Sequence, residues 1–268
     1  MVYGALWYGV FALFTEFPAA WPYWIFVLIA LVSALAGHYH GADKALLKSV
    51  GADLVDPGAE PQLEATLARL AALADVPAPR LALAGTDAAN AFAVGLSQRG
   101  AAVVVTSGLR RRLDNTELEA VLGHEMSHIA NRDAAVLTAV AAPRILGEVM
   151  VGGASSPIGL GWYLIWPLGI PIYMVGTLLT LTVSRYREFA ADRGSAILTG
   201  APEQLMSALR KLATDAAEIP HDDLRAANAF CIVPTEASLI ELFSDHPPTE
   251  KRLAVLAEIA REMGHPAA

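Results

Sequence analysis

Two long apolar blocks constrain the fold of this chain more than any other feature of its sequence. Residues 1–42 carry one formally charged side chain, Glu16, and residues 149–184 carry none. Each block exceeds the roughly 20 apolar residues that a helix needs to cross a bilayer. The whole chain of 268 residues is 54% hydrophobic and 17% charged, more apolar than an ordinary soluble domain. We therefore expect part of it to face lipid.

The first block predicts an N-terminal transmembrane hairpin over residues 1–40. Glu16, Pro18 and Pro22 divide it into a short arm, about Val2–Phe14, and a longer arm, about Trp21–Gly37. A single span preceded by an amphipathic segment is the alternative. A cleaved signal peptide is the weaker interpretation, because no basic residues precede the apolar run and no cleavage site is evident.

The second block predicts another transmembrane hairpin over residues 134–183, broken near residues 152–157, which gives about four spans in total. Arg144 and Glu148 lie in its first arm, four residues apart. They can pair with each other, which we favour, or line a polar path. Lysines and arginines flank the hairpins at the ends away from their tips, so the polar parts are predicted to be cytoplasmic.

The polar parts, residues 41–133 and 184–268, predict a mostly α-helical protein with a small β element. Ala91–Leu96 and Ala101–Thr106 read as an antiparallel hairpin around residues 97–100, and the spacing from Thr116 to Glu119 suits a capping box that starts a helix running through His128. The other predicted elements are a strand at Arg80–Ala84 and helices at Glu60–Ala74, Ser184–Leu198, Pro202–Ala217 and Thr249–Met263.

Charge and cysteine content narrow the functional classes. The net charge is -8, and the sequence contains no stripe of basic residues. Both features argue against a nucleic-acid partner. The single cysteine, Cys231, has no thiol partner in the chain for a disulfide or a cysteine metal cluster.

A metal-binding spacing lies on the helix predicted through His128. His124 and His128 are four residues apart, so both imidazoles leave one helix face and can reach one tetrahedral Zn²⁺ at about 2.0–2.1 Å. Glu125, beside the first histidine, suits a general base that takes a proton from a metal-bound water. The alternative is a pair of structural histidines.

A catalytic zinc needs a third protein ligand, and no histidine follows within a few residues. Glu188 and Asp192 lie four residues apart, directly after the second apolar block. Glu188 can bind the metal while Asp192 accepts the other ring N–H of a ligand histidine. Taken alone, these two residues are equally consistent with a solvated, charged helix start.

Four separated blocks make the chain resemble the HtpX-like membrane gluzincins, a family related to the CAAX prenyl proteases. The blocks are residues 89–93 (ANAFA), 123–133 (GHEMSHIANRD), 184–192 (SRYREFAAD) and 243–252 (FSDHPPTEKR). Their order and spacing match the family as closely as their content, and the resemblance covers nearly the whole chain.

The resemblance implies one zinc ion per chain, held by His124, His128 and Glu188, with Glu125 as the general base and Asp192 supporting a ligand histidine. It adds three residues, Asn90, His246 and Arg252. Asn90 would lie beside the strand that binds the substrate backbone, and His246 and Arg252 would approach the substrate carbonyl or the developing oxyanion. A turn role for Asn90 and His246 and a helix-surface role for Arg252 remain the alternatives.

The resulting prediction is a zincin-like domain combined with about four transmembrane helices, acting as a zinc-dependent endopeptidase on misfolded or damaged membrane and cytosolic proteins. It would sit in a bacterial-type inner or plasma membrane with its active site in the cytoplasm, and the edge of the 91–106 hairpin could bind an extended peptide. The alternatives are an inactive protease-fold scaffold, a prenyl-protein processing peptidase, and a transporter that uses Arg144 and Glu148. The oligomeric state is not predicted.

Overall fold

The computed structural model describes residues 47–152, 162–216 and 247–265. All of them belong to one compact unit that begins at Leu47. The predicted N-terminal hairpin, the tip of the second hairpin, Cys231 and His246 lie outside the described residues.

A four-stranded sheet forms the β element. Its strands are β1 (Ala52–Leu54), β2 (Arg80–Ala84), β3 (Ala91–Val94) and β4 (Ala102–Thr106), in the spatial order β1-β2-β4-β3. β2 and β4 are parallel, and the two outer pairings are antiparallel. The predicted hairpin of β3 and β4 is therefore confirmed. β1, at three residues, is too short to be recognised from alternation.

β3 ends at Val94 rather than at the predicted Leu96 because the chain turns at Gly95. Gly95 has a φ of 121°, which is accessible to glycine but strained for other residues. A Cβ at this position would also lie 2.8 Å from the Cα of Ala101. The connection then continues through a short 3₁₀ turn at Gln98–Gly100, where the Ser97 side chain accepts a hydrogen bond from the Gly100 N–H.

Helices make up most of the described residues, in agreement with the predicted fold class. They are α1 (Pro61–Leu73), α2 (Ser107–Arg112), α3 (Asn115–Ala130), α4 (Asp133–Gly152), α5 (Trp162–Thr199), α6 (Pro202–Ala216) and α7 (Thr249–Glu262).

The capping box of α3 lies two residues earlier than predicted. Asp114, not Thr116, is the N-cap, and its side chain accepts hydrogen bonds from the N–H groups of Thr116 and Glu117. Glu117 completes the box by accepting the N–H of Asp114 at 3.0 Å. The predicted N-cap was wrong because Asp and Thr both serve as N-caps, and the sequence has both within three positions.

α5 joins two segments that the sequence analysis treated separately. The second arm of the predicted hairpin and the predicted helix Ser184–Leu198 form one continuous helix that ends at Thr199. Within the described ranges, one helix is long and apolar enough to cross a membrane, Pro167–Thr199. The prediction of about four spans is therefore not confirmed.

Small residues let α5 pack closely against α3. A Cβ at Gly194 would lie 2.8 Å from the Cβ of Ser127, so the two helix surfaces leave no space for a larger side chain there. The hydroxyl of Ser195 donates to the carbonyl of Ala120 at 2.6 Å across the same contact. Because α3 carries His124 and α5 carries Glu188, this packing sets the distance between the predicted metal ligands.

Candidate active site

Three predicted metal ligands meet where α3 packs against α5. The Nε2 atoms of His124 and His128 are 3.1 Å apart. Glu188 places one carboxylate oxygen 3.6 Å from His124 Nε2 and the other 3.5 Å from His128 Nε2. Tetrahedral ligands at about 2.0–2.1 Å from a zinc ion lie roughly 3.4 Å from one another. The donor set and its spacing therefore fit a single zinc ion.

Asp192 lies one helical turn after Glu188 and faces the other side of His124. Its Oδ1 is 3.0 Å from His124 Nδ1, leaving Nε2 directed toward the other ligands. Arg252 on α7 donates to Asp192 through Nη2 at 2.6 Å and Nε at 2.9 Å. A carboxylate in this position fixes the ring orientation and tautomer of a metal-binding histidine.

His128 has a corresponding carboxylate partner that the sequence analysis missed. Its Nδ1 is 2.6 Å from Asp133 Oδ2. Asp133 in turn pairs with Arg187 of α5, and Arg187 also donates to the backbone carbonyl of Asn131 at 3.0 Å. Each predicted ligand histidine therefore contacts an aspartate, and each aspartate contacts an arginine.

The turn between α3 and α4 makes the second contact possible. Arg132 has a φ of 56°, a left-handed conformation that non-glycine residues rarely adopt, and it reverses the chain so that Asp133 returns to His128. Asp133 belongs to the ANRD part of the family block, so the resemblance could have singled it out. The spacing of five residues from His128 could not, because it does not place two side chains on one helix face.

Glu125 lies on α3, and its side chain reaches the sheet. Its Oε2 accepts the backbone N–H of Ala93 at 2.8 Å, which ties the carboxylate to strand β3. The residue is 4% exposed and lines a cavity of about 410 Å³ together with His124, His128 and Glu188. The predicted base and the predicted metal ligands therefore line one cavity.

Burial and neighbouring charge change the proton affinities of these groups. Burial alone would lower the pKa of His124, but hydrogen bonds to Asp192 and Glu188 outweigh it and raise the pKa to about 9. Burial and the nearby His124 lower the pKa of His128. Burial raises the pKa of Glu125. A metal that binds His124 must therefore displace its proton.

The three residues that only the resemblance suggested have different positions. Asn90 is buried directly before β3, where its backbone N–H donates to the Thr106 hydroxyl at 2.9 Å. Asn90 is not among the cavity-lining residues. Arg252 is 1% exposed, so the helix-surface alternative is wrong; it donates to Asp192, and its Nη1 also lies 3.4 Å from Glu188 Oε2. The predicted role of His246 falls outside the described residues.

Comparison with known proteins gives matches over most of the chain. A family model for peptidase family M48 matches residues 57–260. The protein named Protease HtpX homolog from Moorella thermoacetica is 45% identical over 253 residues, covering 88% of this chain and 85% of the relative. Protease HtpX homolog 2 from Methanosarcina mazei is 41% identical over 253 residues, covering 89% of this chain and 86% of the relative.

Among solved structures, the crystal structure of S. mikatae Ste24p has a similar fold. Its TM-score is 0.53 at 19% sequence identity, and the match covers 94% of this chain. The chain spans 62% of the length of that protein. At this level of identity, the similarity concerns the fold alone.

Proposed function

The chain belongs to peptidase family M48 and is a metalloprotease, and from this premise we propose that it is a membrane-embedded, zinc-dependent endopeptidase. The observation that carries the proposal is the meeting of His124, His128 and Glu188 beside the buried carboxylate of Glu125. Family membership also confirms the resemblance on which the sequence analysis relied.

Zinc is the proposed metal, one ion per chain, with these two histidines and one glutamate as its protein ligands. When bound, zinc supplies Lewis acidity that polarises a carbonyl and lowers the pKa of a water toward about 7. Two imidazoles and one carboxylate are a donor set typical of catalytic zinc sites, which keep a fourth position open. Asp192 and Asp133 hold the ligand rings in orientation from behind.

Glu125 is the proposed general base. Its carboxylate takes a proton from the attacking water and returns it to the leaving amine of the cleaved peptide bond. The hydrogen bond from Ala93 keeps the carboxylate at the edge of β3. The raised pKa of Glu125 suits a group that must both accept and release a proton. His246 stays a candidate for steadying the oxyanion.

Strand β3 is the proposed binding edge for the substrate backbone. It is the terminal strand of the described sheet, and Phe92, Ala93 and Gly95 line the cavity beside Glu125. A substrate strand that pairs with this edge would gain main-chain hydrogen bonds that do not depend on side-chain identity. Such binding suits a broad range of unfolded segments, and Asn90 would help to fix the start of the edge.

Membrane insertion is supported by the exposed apolar face of α5. Leu168, Met174, Val175, Leu178 and Leu179 are each between 47% and 60% exposed. A contiguous apolar surface of this kind marks a lipid or protein contact. We place the chain in a bacterial-type inner or plasma membrane, with several spans and the active site in the cytoplasm. Misfolded or damaged membrane and cytosolic proteins are the proposed substrates.

Cleavage of casein by detergent-solubilised enzyme tests the activity. The wild type and a Glu125→Gln variant are compared with zinc and with a chelator, and bound zinc is measured in each. We expect Glu125→Gln to keep its zinc and to lose about 10²–10⁴-fold in rate. Glu119→Gln is the matched control, because Glu119 lies on the same helix but pairs with Arg69 at the surface.

Undiminished cleavage by Glu125→Gln would falsify the mechanism. No cleavage by the zinc-loaded wild type would instead favour the inactive scaffold. The same preparation tests the other two alternatives. Cleavage of a prenylated peptide tests for a prenyl-protein processing peptidase, and transport in reconstituted vesicles tests for a transporter.

A further inference from the structure

The active-site cavity continues away from the metal ligands, between α4 and α5. At one end it is lined by Glu125, His128 and Glu188, and at the other by Arg144, Thr177 and Leu181. The far end thus lies in the segment that the sequence analysis assigned to the second transmembrane hairpin. Of the described residues, Arg144 supplies the charge at this end, while Arg132 and Asp133 line the cavity next to His128.

Arg144 is held in place by the packing of its backbone. A Cβ at Gly176 of α5 would lie 2.7 Å from the Cα of Arg144, so the two helices touch at this level. The Nε of Arg144 is buried and has no hydrogen-bond partner among the described residues. The close contact therefore fixes the position of the Arg144 backbone, and the residue lines the cavity from there.

The expected partner of Arg144 does not pair with it. Glu148 lies one turn further along α4, and the sequence analysis favoured an ion pair between these two residues. In the part of the chain that the structure describes, neither Glu148 nor any other carboxylate lies within ion-pair distance of Arg144. That prediction is wrong for these residues, because the side chain of Arg144 enters the cavity while Glu148 is exposed.

The buried Nε of Arg144 lacks a hydrogen-bond partner among the described residues, and a buried polar group without a partner costs free energy, so this end of the cavity suits an anionic ligand. The planar fork of a guanidinium matches a carboxylate through two parallel hydrogen bonds. We propose that Arg144 binds a carboxylate of the polypeptide substrate, either an Asp or Glu side chain or the C-terminus. This inference rests on the proposed peptidase function.

A peptide carboxylate is favoured over other anions because the two ends of the cavity are continuous. A polypeptide whose scissile bond lies beside Glu125 extends through the same space toward Arg144. Asp133 and Arg144 are separated by about 16 Å along α4 at 1.5 Å per residue, and the arginine side chain leans back toward the helix N-terminus. An extended substrate spans about 3.3 Å per residue. The substrate carboxylate that Arg144 binds should therefore lie roughly three to five residues from the scissile bond.

Matched peptides test the proposal. A peptide whose cleavage site has been mapped with the wild type is resynthesised with Glu or Gln at each position three to five residues away, and with a free or amidated C-terminus. The wild type should prefer the carboxylate at one of these positions by about 10-fold to 100-fold in kcat/KM, the range expected for one charge-assisted hydrogen-bonded pair. Arg144→Met should abolish the preference, so that this variant cleaves the Glu and Gln peptides at equal rates.

Two further variants distinguish a loss of carboxylate recognition from a loss of folding. Arg144→Lys keeps the charge and should restore part of the preference. Arg193→Met is the matched control: Arg193 lies on α5, outside the cavity, and pairs at the surface with Glu262, so its loss should leave the preference intact.

Equal rates for Glu and Gln peptides with the wild type, or an equal preference in wild type and Arg144→Met, overturn the proposal. It is also overturned if Arg144→Met alters only the response to phosphatidylglycerol vesicles, since the anion would then be a lipid phosphate. Casein cleavage that depends on Glu125 is scored separately. If it is present while the preference is absent, the peptidase function stands and the role of Arg144 fails.

Discussion

Arg252 holds Asp192 with two hydrogen bonds, of 2.6 and 2.9 Å, and Asp192 in turn lies 3.0 Å from Nδ1 of His124. All three side chains are buried. The pairing is bidentate, so it fixes the plane of the carboxylate as well as its position. A residue of the last described helix thereby orients a proposed metal ligand on α3, although Arg252 itself is not among the residues that line the cavity.

Arg252→Lys should weaken zinc binding by about 10-fold to 100-fold, because a lysine ammonium cannot supply the two parallel hydrogen bonds that hold Asp192. Competition with a chromogenic chelator measures the affinity. Arg261→Lys is the control on the same helix, where Arg261 pairs with Glu258 at the surface. Unchanged zinc affinity with a 10²–10³-fold slower rate would point instead to an oxyanion role for Arg252.

Asp133→Asn should also lower zinc affinity by about 10-fold to 100-fold, because it removes the negative charge that fixes the His128 ring. The substitution keeps the side-chain shape, so the effect reports the charge and not a cavity. Asp87→Asn serves as the control, since Asp87 is 92% exposed and pairs with Arg111 at the surface. Equal zinc affinity in the two variants would show that His128 does not need Asp133.

Gly194→Ala should destabilise the protein by about 1–3 kcal/mol, because the added methyl group would meet Ser127 across the contact between α5 and α3. The change also pushes Glu188 away from the histidines, so bound zinc should fall together with the melting temperature. Thermal unfolding in detergent and metal analysis measure the two effects. Gly85→Ala is the control, since a Cβ there meets nothing within 4 Å; similar losses in both variants would contradict the packing argument.

The stability that the contact between α3 and α6 contributes should depend on pH. Burial alone would raise the pKa of Glu117, but hydrogen bonds from Lys211 and Ser207, each 2.7 Å long, outweigh it and lower the pKa. The group binds its proton less tightly when folded than when unfolded. Its stabilising effect is therefore fully present above the unfolded value of 4.5 and is lost as the pH falls through the folded value.

Glu117→Gln should accordingly lower the melting temperature at pH 7, and the difference from the wild type should shrink as the pH drops below about 4.5. Melting curves between pH 7 and pH 3 measure it. Lys211→Met should reduce the same pH dependence, because it removes one of the three donors to this carboxylate, the one that carries a charge. A difference that stays constant down to pH 3 would show that the ionised carboxylate is not what stabilises this contact.

The four-residue spacing of the two histidines was enough to predict the proposed metal ligands on α3. His124 and His128 share a helix face in any helical fold of this segment, because four residues make nearly one turn. Local spacing was not enough to predict Glu188 as a ligand, because the residues around it are equally consistent with a charged helix start. The family resemblance was needed to favour the ligand role. Asp133 was missed because a left-handed turn at Arg132, and not a helical period, brings it to His128.

The sequence by itself determined the parts that depend on near neighbours: the apolar blocks, the β3–β4 hairpin, most helices, and the residue types needed for a zinc peptidase. Tertiary structure alone decided which side chains support the ligands. Arg252 reaches Asp192 across 60 residues, and Arg144 enters the cavity instead of pairing with Glu148. The physical reason is that the period of a helix or strand fixes the face from which a side chain projects. The partner of that side chain depends on which element packs against that face.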